Sequence, residues 1–398
     1  MTRDVVRLTE GKERNPYIDT LRGVSILLVM LLHYTLSYRL VHSPLQNWVS
    51  AATLHAIFYN GNYGVDIFFV ISGFLITANI LGRYGSLAGI DVAHFYKLRL
   101  FRLYPLVILA LIVITALGLG RHPNFYNAVH HADLGDGFFV VADLSVLTFW
   151  HNILMESVGY FNYAMNIYWS LSVEEVFYLL YPWALLLVRR RWQLVLLLCV
   201  SVVTAPIYRD MHRDNELFFM YGNLACVDML AYGCAAAVLA NRLELTNTLR
   251  RILALVAFVV MGWIYMRGIS DNEALGATFL GIAAASFLIA VHRLPAARLS
   301  RLILSPLSWL GSHSYELYLF HIVVLGIMVE LVPREAMSWG RKLPMLTLFF
   351  VLSSLLAWGI ARLFGDPLNQ WLRRRFVSRG TTARNAVICA ADVVRAGE

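Results

Sequence analysis

At 398 residues, 59% hydrophobic and 15% charged, the chain is too apolar for a water-soluble globule, which runs at about 45–50% apolar and about 25% charged. A mean hydropathy of +0.62 points to a bilayer as solvent, and the length suits one integral domain. The net charge of +8 would suit nucleic acid, but its distribution along the chain assigns it to the membrane, so no nucleic-acid partner is expected.

Residues 1–23 are polar and basic, and no small-residue cleavage site follows the first apolar run, which therefore reads as a retained span. A helix crosses the hydrocarbon core with about 20 mostly apolar residues. Suitable runs fall near 23–40, 62–82, 102–120, 138–154, 168–188, 192–208, 222–240, 251–267, 274–291, 313–332 and 344–364. If all crossed, Arg189, Arg190 and Arg191 would lie opposite the basic amino terminus. Treating 138–154, with Asp143, His151 and Asn152, as re-entrant or external leaves about ten transmembrane helices in an all-α, polytopic fold. In that arrangement 23 of the 33 Lys and Arg fall on one side, and the positive-inside rule puts both termini in the cytoplasm. The expected organisation is a cytoplasmic extension over 1–14, a transmembrane domain over 15–372 and a basic cytoplasmic tail over 373–398, set in a bacterial inner membrane. Arg373, Arg374 and Arg375 of that tail suit anionic lipid head groups. The outer segment 121–167 carries His122, His130, His131, Asp133 and Asp136 and is placed to cover the outer mouth. Cys199, Cys226, Cys234 and Cys389 have no metal-type spacing and read as buried thiols; no metal is expected.

A charge near the bilayer centre costs roughly 2.5–3.5 kcal/mol on the insertion scale, so each one there normally faces a cavity or a partner. The chain places Asp66, Glu174, Glu175, Asp228 and Glu316 in apolar runs, with His33 and His321. Arg22 and His33 are eleven positions apart, almost three whole turns, so they share a face about 16 Å from each other along the first helix. Histidine is the side chain best suited to accept a proton near neutral pH. Asp66 enters the second span from the outer side. Ser72 and Gly73 fall near its middle, where close helix approach competes with a cavity role. Arg99 and Arg102 share a face at the cytoplasmic boundary, beside Lys97; taken alone the stretch is read first as ordinary anchoring, and second as a place for a phosphorylated ligand. Trp169, Ser172, Glu174 and Glu175 open the next long span, the adjacent glutamates pointing about 100° apart. Tyr315 and Glu316 precede His321, whose depth matches that of His33.

In order and spacing these stretches resemble the acyltransferase 3 family of bacterial membrane O-acyltransferases. The carrying motifs are YIDTLRG over 17–23 leading to His33, GVDIFFVISGFLI from Gly64, the Arg99-x-x-Arg102 pair, WSLSVEE over 169–175 and SYELYLFH ending at His321. The resemblance covers residues 15–372. It implies a ten-helix core with cytoplasmic termini, acyl-CoA (most often acetyl-CoA) as cytoplasmic co-substrate with no bound cofactor, and a sugar hydroxyl as acceptor. It also implies functional roles for Arg22, His33, Arg99 and Arg102. Thr20, Leu98 and Val176 depart from the usual pattern, and Leu98 removes one possible phosphate contact. Some relatives carry a fused extracytoplasmic hydrolase-like domain; the length here leaves no room for one, so direct transfer or a diffusible acceptor is expected.

The resulting expectation is that Arg22, Lys97, Arg99 and Arg102 bind the acyl-CoA donor and that His33 acts as general base on the acceptor hydroxyl. Glu175 or Asp66 orients its ring. Ser72, Trp169, Ser172, Glu174, Tyr315 and His321 are further cavity positions. The acceptor is a carbohydrate, glycolipid or glycosylated small molecule. The alternative is a transporter or flippase for a glycan, although the inverted repeats common in transporters are not evident.

Overall fold

The chain turns helical at Pro16, seven residues ahead of the expected first span. The Asn15 side chain accepts the Tyr17 and Ile18 N–H groups at 3.0 and 3.4 Å, and proline at the first helical position has no N–H to satisfy. Helix α1 (Pro16–Tyr38) is followed by α2 (Ala51–Tyr59), α3 (Tyr63–Tyr84) and α4 (Val92–Leu119). In this computed structural model the described residues are 14–40, 44–129, 132–188, 190–269 and 272–377. His130, His131, Arg189, residues 1–13 and the tail beyond 377, including Cys389, lie outside them.

Strands β1 (Ala128–Val129) and β2 (Ala132–Asp133) pair antiparallel. After them come α5 (Phe138–Leu147), α6 (His151–Val158), α7 (Trp169–Leu187), α8 (Arg191–Met211), α9 (Glu216–Tyr221) and α10 (Asn223–Arg242). The carboxy-terminal part holds α11 (Asn247–Arg267), α12 (Gly276–Val291), α13 (Arg298–Ser312), α14 (Ser314–Leu331), α15 (Trp339–Ile360), a π turn and α16 (Asp366–Phe376). Among the described residues, nine helices are long and apolar enough to cross a membrane, with α5 and α12 as shorter apolar helices. The protein is therefore an all-α, multi-pass membrane protein. The expected re-entrant segment is two short helices, α5 and α6, broken at Thr148–Trp150 where Phe149 takes a left-handed φ of 68°. Ten helical residues span only about 15 Å, half the hydrocarbon core.

Two helices begin ahead of the expected spans. Arg22 lies about 9 Å along α1 from its first residue. Helix α4 begins ten residues before the expected span, so Lys97, Arg99 and Arg102 are within it. At 28 residues it is about 42 Å long, well beyond the roughly 30 Å core, so its first turns reach the head groups.

The chain divides into two compact units, residues 1–79 with 195–315 and residues 80–194 with 316–398. In the first, small residues let backbones touch. A Cβ on Gly311 of α13 would sit 1.7 Å from the Asp19 carbonyl oxygen of α1, and one on Gly23 would sit 1.9 Å from that of Leu307. Gly73 of α3 and Gly233 of α10 make the same close approach, against Leu230 and Val70. Close packing thus explains Gly73. The outward faces are apolar: Leu196, Val200, Val203 and Ile207 on α8, and Leu255 and Val259 on α11, are all exposed. Such a surface belongs against lipid.

In the second unit, Tyr168 donates its hydroxyl to the Leu319 carbonyl at 3.0 Å, while Tyr318 of α14 donates back to Ile167 at 2.7 Å. This reciprocal clasp fixes the start of α7 against α14. At the surface, Arg121 pairs with Asp133 and Asp136 at 2.9 and 3.0 Å, and His122 pairs with Glu330 at 2.9 Å.

Candidate active site

The sequence-selected residues divide between the units. Arg22, His33, Asp66, Ser72 and Tyr315 belong to the first; Lys97, Arg99, Arg102, Trp169, Ser172, Glu174, Glu175 and His321 belong to the second.

In the first unit, Arg22 faces Asp19 one turn earlier at 3.8 Å, both side chains largely covered. The close contact of α13 with the Asp19 carbonyl fixes that turn, so the packing that positions Asp19 also positions Arg22. His33 is half-buried further along α1, where the Ser37 hydroxyl bonds back to its carbonyl. Ser72 and Tyr315 are half-buried.

Asp66 stands beside a charge pair that the sequence reading only half saw. Asp228 of α10 is fully buried, and Arg209 of α8 meets it through two hydrogen bonds of 3.0 and 2.7 Å. The remaining Arg209 donors reach Thr278 and the Ala225 and Ala274 carbonyls, and Thr278 also donates to Asp228 at 3.0 Å. Asp66 lies within electrostatic reach of both charges. Buried ions need this degree of satisfaction to be tolerated, and here the fold supplies it from four segments.

In the second unit, the Arg99 guanidinium lies 4.2 Å from the Tyr178 ring centroid and 5.8 Å from that of Phe95, the face-on arrangement that a delocalised cation favours. The Tyr178 hydroxyl donates to Glu174. Glu175, about 100° further round α7, instead lines a small cleft with Leu103, Tyr104, Val107, Val146, Leu147, Phe149 and Leu171. The two adjacent glutamates thus have separate surroundings, and Glu175 lies within the electrostatic field of Arg99. Lys97 and Arg102 are exposed.

Other selected residues build the scaffold. The Ser172 oxygen accepts the His151 N–H at 3.0 Å, holding the start of α6. Ser170 meets the Tyr318 hydroxyl at 2.6 Å. Trp169 is buried. His321 is fully buried, and its Nδ1 lies 2.9 Å from the Leu317 and Tyr318 carbonyls of its own helix. A nitrogen between two carbonyl acceptors carries the proton, which fixes this tautomer. Among the described residues no group of three or more metal-ligating side chains comes together.

Helix α1 thus carries Arg22 and His33 in the first unit, while α4 carries Lys97, Arg99 and Arg102 and α7 carries Glu174 and Glu175 in the second. The chain belongs to the acyltransferase 3 family, whose acyltransferase domain matches residues 15–364.

Among characterised relatives it is 26% identical over 331 residues to the O-acetyltransferase OatA of Staphylococcus aureus, covering 78% of this chain and 50% of that protein. It is 26% identical over 365 residues to the peptidoglycan O-acetyltransferase OatA of Listeria monocytogenes, covering 85% and 54%. It is 28% identical over 348 residues to the putative peptidoglycan O-acetyltransferase YrhL of Bacillus subtilis, covering 79% and 49%. The chain spans about half the length of these relatives. No solved structure matches it.

Proposed function

We propose that this protein transfers an acetyl group from cytoplasmic acetyl-CoA to a hydroxyl of a cell-envelope carbohydrate, with both of its termini on the cytoplasmic side of a bacterial inner membrane. The observation that carries this reading is the family match over residues 15–364, which takes in Arg22, His33, Arg99 and Arg102. The relatives' named O-acetyltransferase activities support acetyl as the group moved and a glycan as the receiver.

In this reading Arg22, Arg99 and Arg102 hold the phosphates of the coenzyme, with Lys97 adding charge. Guanidinium groups suit phosphate because their planar donors bind it in pairs. His33 accepts the proton of the acceptor hydroxyl as its oxygen attacks the thioester carbonyl. The carbonyl–sulfur bond breaks, the ester forms, and the coenzyme leaves as its thiolate, which takes up the proton. Glu175 or Asp66 orients the imidazole.

The test uses the full chain in nanodiscs with radiolabelled acetyl-CoA. Wild-type protein is expected to bind the coenzyme and to move label into envelope carbohydrate, seen as a mass increase of one acetyl group. Arg99→Ala removes a charge-assisted contact worth about 1.5–3 kcal/mol, so the donor KM is expected to rise tenfold or more. An unchanged donor KM would remove the phosphate clamp. Failure of the wild-type protein to bind acetyl-CoA would favour a transport role instead.

A further inference from the structure

Two helix faces in the second unit run from a cation to an apolar recess. On α4, Arg99, Leu103 and Val107 follow at four-residue intervals and share one face. On α7, which runs the other way, Tyr178, Glu175 and Leu171 follow at intervals of three and four residues and also share a face. Arg99 stacks on Tyr178 at one end. Beyond them Leu103, Val107, Glu175 and Leu171 line the cleft, which Val146 completes from the end of α5 and Phe149 from the break after it.

That break is held deliberately. Phe149 is an aromatic residue at φ 68°, a conformation that a bulky L side chain adopts only when its surroundings impose it. The surroundings are visible. The Trp150 N–H bonds the Ser145 carbonyl at 2.9 Å, Ser172 accepts the next N–H, that of His151, and the Phe149 ring meets Tyr104 edge-on at 6.0 Å. The strain turns the Phe149 ring into the wall of the cleft. The free space left is about that of one water molecule, which is also the size of one methyl group.

We propose that this cleft receives the acyl end of the thioester donor, and that Phe149, Val146 and Leu171 restrict it to a two-carbon chain. The inference rests on the acetyl-CoA reading above and adds the determinant of chain length. The recess, largely apolar with the Glu175 carboxyl in its lining, has space for the methyl group of an acetyl thioester, and Arg99 stands at its entrance. A lipid tail needs no such length limit.

The experiment competes acetyl-, propionyl-, butyryl- and hexanoyl-CoA on the full-length protein in nanodiscs. One methylene in an apolar pocket changes discrimination by about 10–200-fold. Leu171→Ala and Phe149→Ala are therefore expected to raise the butyryl-to-acetyl ratio of kcat/KM at least tenfold, and Val146→Phe to depress acetyl use. Val107→Ala opens the same wall without touching the strained turn, and it keeps the test decisive if Phe149→Ala fails to fold. Variants that transfer acetyl with an unaltered chain-length ratio would overturn the proposal. So would a lipid acyl chain retained in the cleft, detected by native mass spectrometry, in protein whose ratio does not move. If wild-type protein uses no CoA thioester at all, the donor reading itself fails and this inference with it; an unmoved ratio in active variants defeats the inference alone.

Discussion

Removing either partner of the Arg209–Asp228 pair strands a charge at a site only 3% and 0% exposed. Breaking one side of such a pair costs about 3–5 kcal/mol, whereas replacing both sides by apolar residues is often neutral. Arg209→Ala is therefore expected to lower the melting temperature of the purified protein sharply, and Arg209→Met with Asp228→Leu to recover most of the loss. Equal losses in the single and double variants would show that the site needs its charges. Half of this pair was legible in the sequence. Asp228 stood out as an acid in an apolar run, but Arg209 lies just past the expected 192–208 run, where a cation draws no attention. Nothing in the spacing could join residues 19 positions apart on two helices. Glu174 and Glu175 were closer to legible, because helical geometry alone separates adjacent side chains by about 100°. Which of them takes the Tyr178 hydroxyl and which lines the cleft was decided by packing. Counting along the chain put His321 at the expected depth of His33, but it could not show that the His321 Nδ1 is held by carbonyls of its own helix.

Helices in this fold are set by contacts as much as by hydrophobic length. The apolar runs located nearly every span, because a bilayer imposes a length that composition reveals directly. The starts of α1 and α4 lay earlier in the chain, where polar caps such as Asn15 and Asp91 begin each helix ahead of its apolar run. That extension carries Arg22 and Arg99 inside regular helix and gives them fixed directions. The Gly23–Gly311 crossing controls the first of these. With 1.7 Å between a new Cβ at 311 and the Asp19 carbonyl, Gly311→Val must push α1 and α13 apart. Overpacking of this kind costs about 1–3 kcal/mol. Asp19 is the ion-pair partner of Arg22, so melting temperature and donor affinity are expected to fall together. A variant that loses thermal stability while keeping its donor KM would separate Arg22 from that packing. Segment 138–154 was set apart from the spans by the side on which Arg189, Arg190 and Arg191 had to fall, but the break between α5 and α6 within it was not foreseen. Nor was its left-handed residue at Phe149, because no glycine marks it.

For the whole molecule, charge asymmetry and hydropathy were sufficient to read a multi-pass helical protein, and the order of five short motifs was sufficient to read the family. The division into two units was not visible, since each is assembled from two distant stretches of chain and no linker or composition change marks the junctions. That division distributes the proposed chemistry: the proposed base His33 lies in one unit, and Arg99, Glu175 and the acyl cleft lie in the other. The central claim is that the imidazole of α1 takes the acceptor proton. The most direct test is His33→Gln, measured for acetyl transfer from radiolabelled acetyl-CoA and, on the same preparation, for equilibrium binding of the coenzyme. Loss of a positioned base predicts a fall in transfer of about 10²–10⁴-fold with binding unchanged. Transfer at the wild-type rate would contradict it.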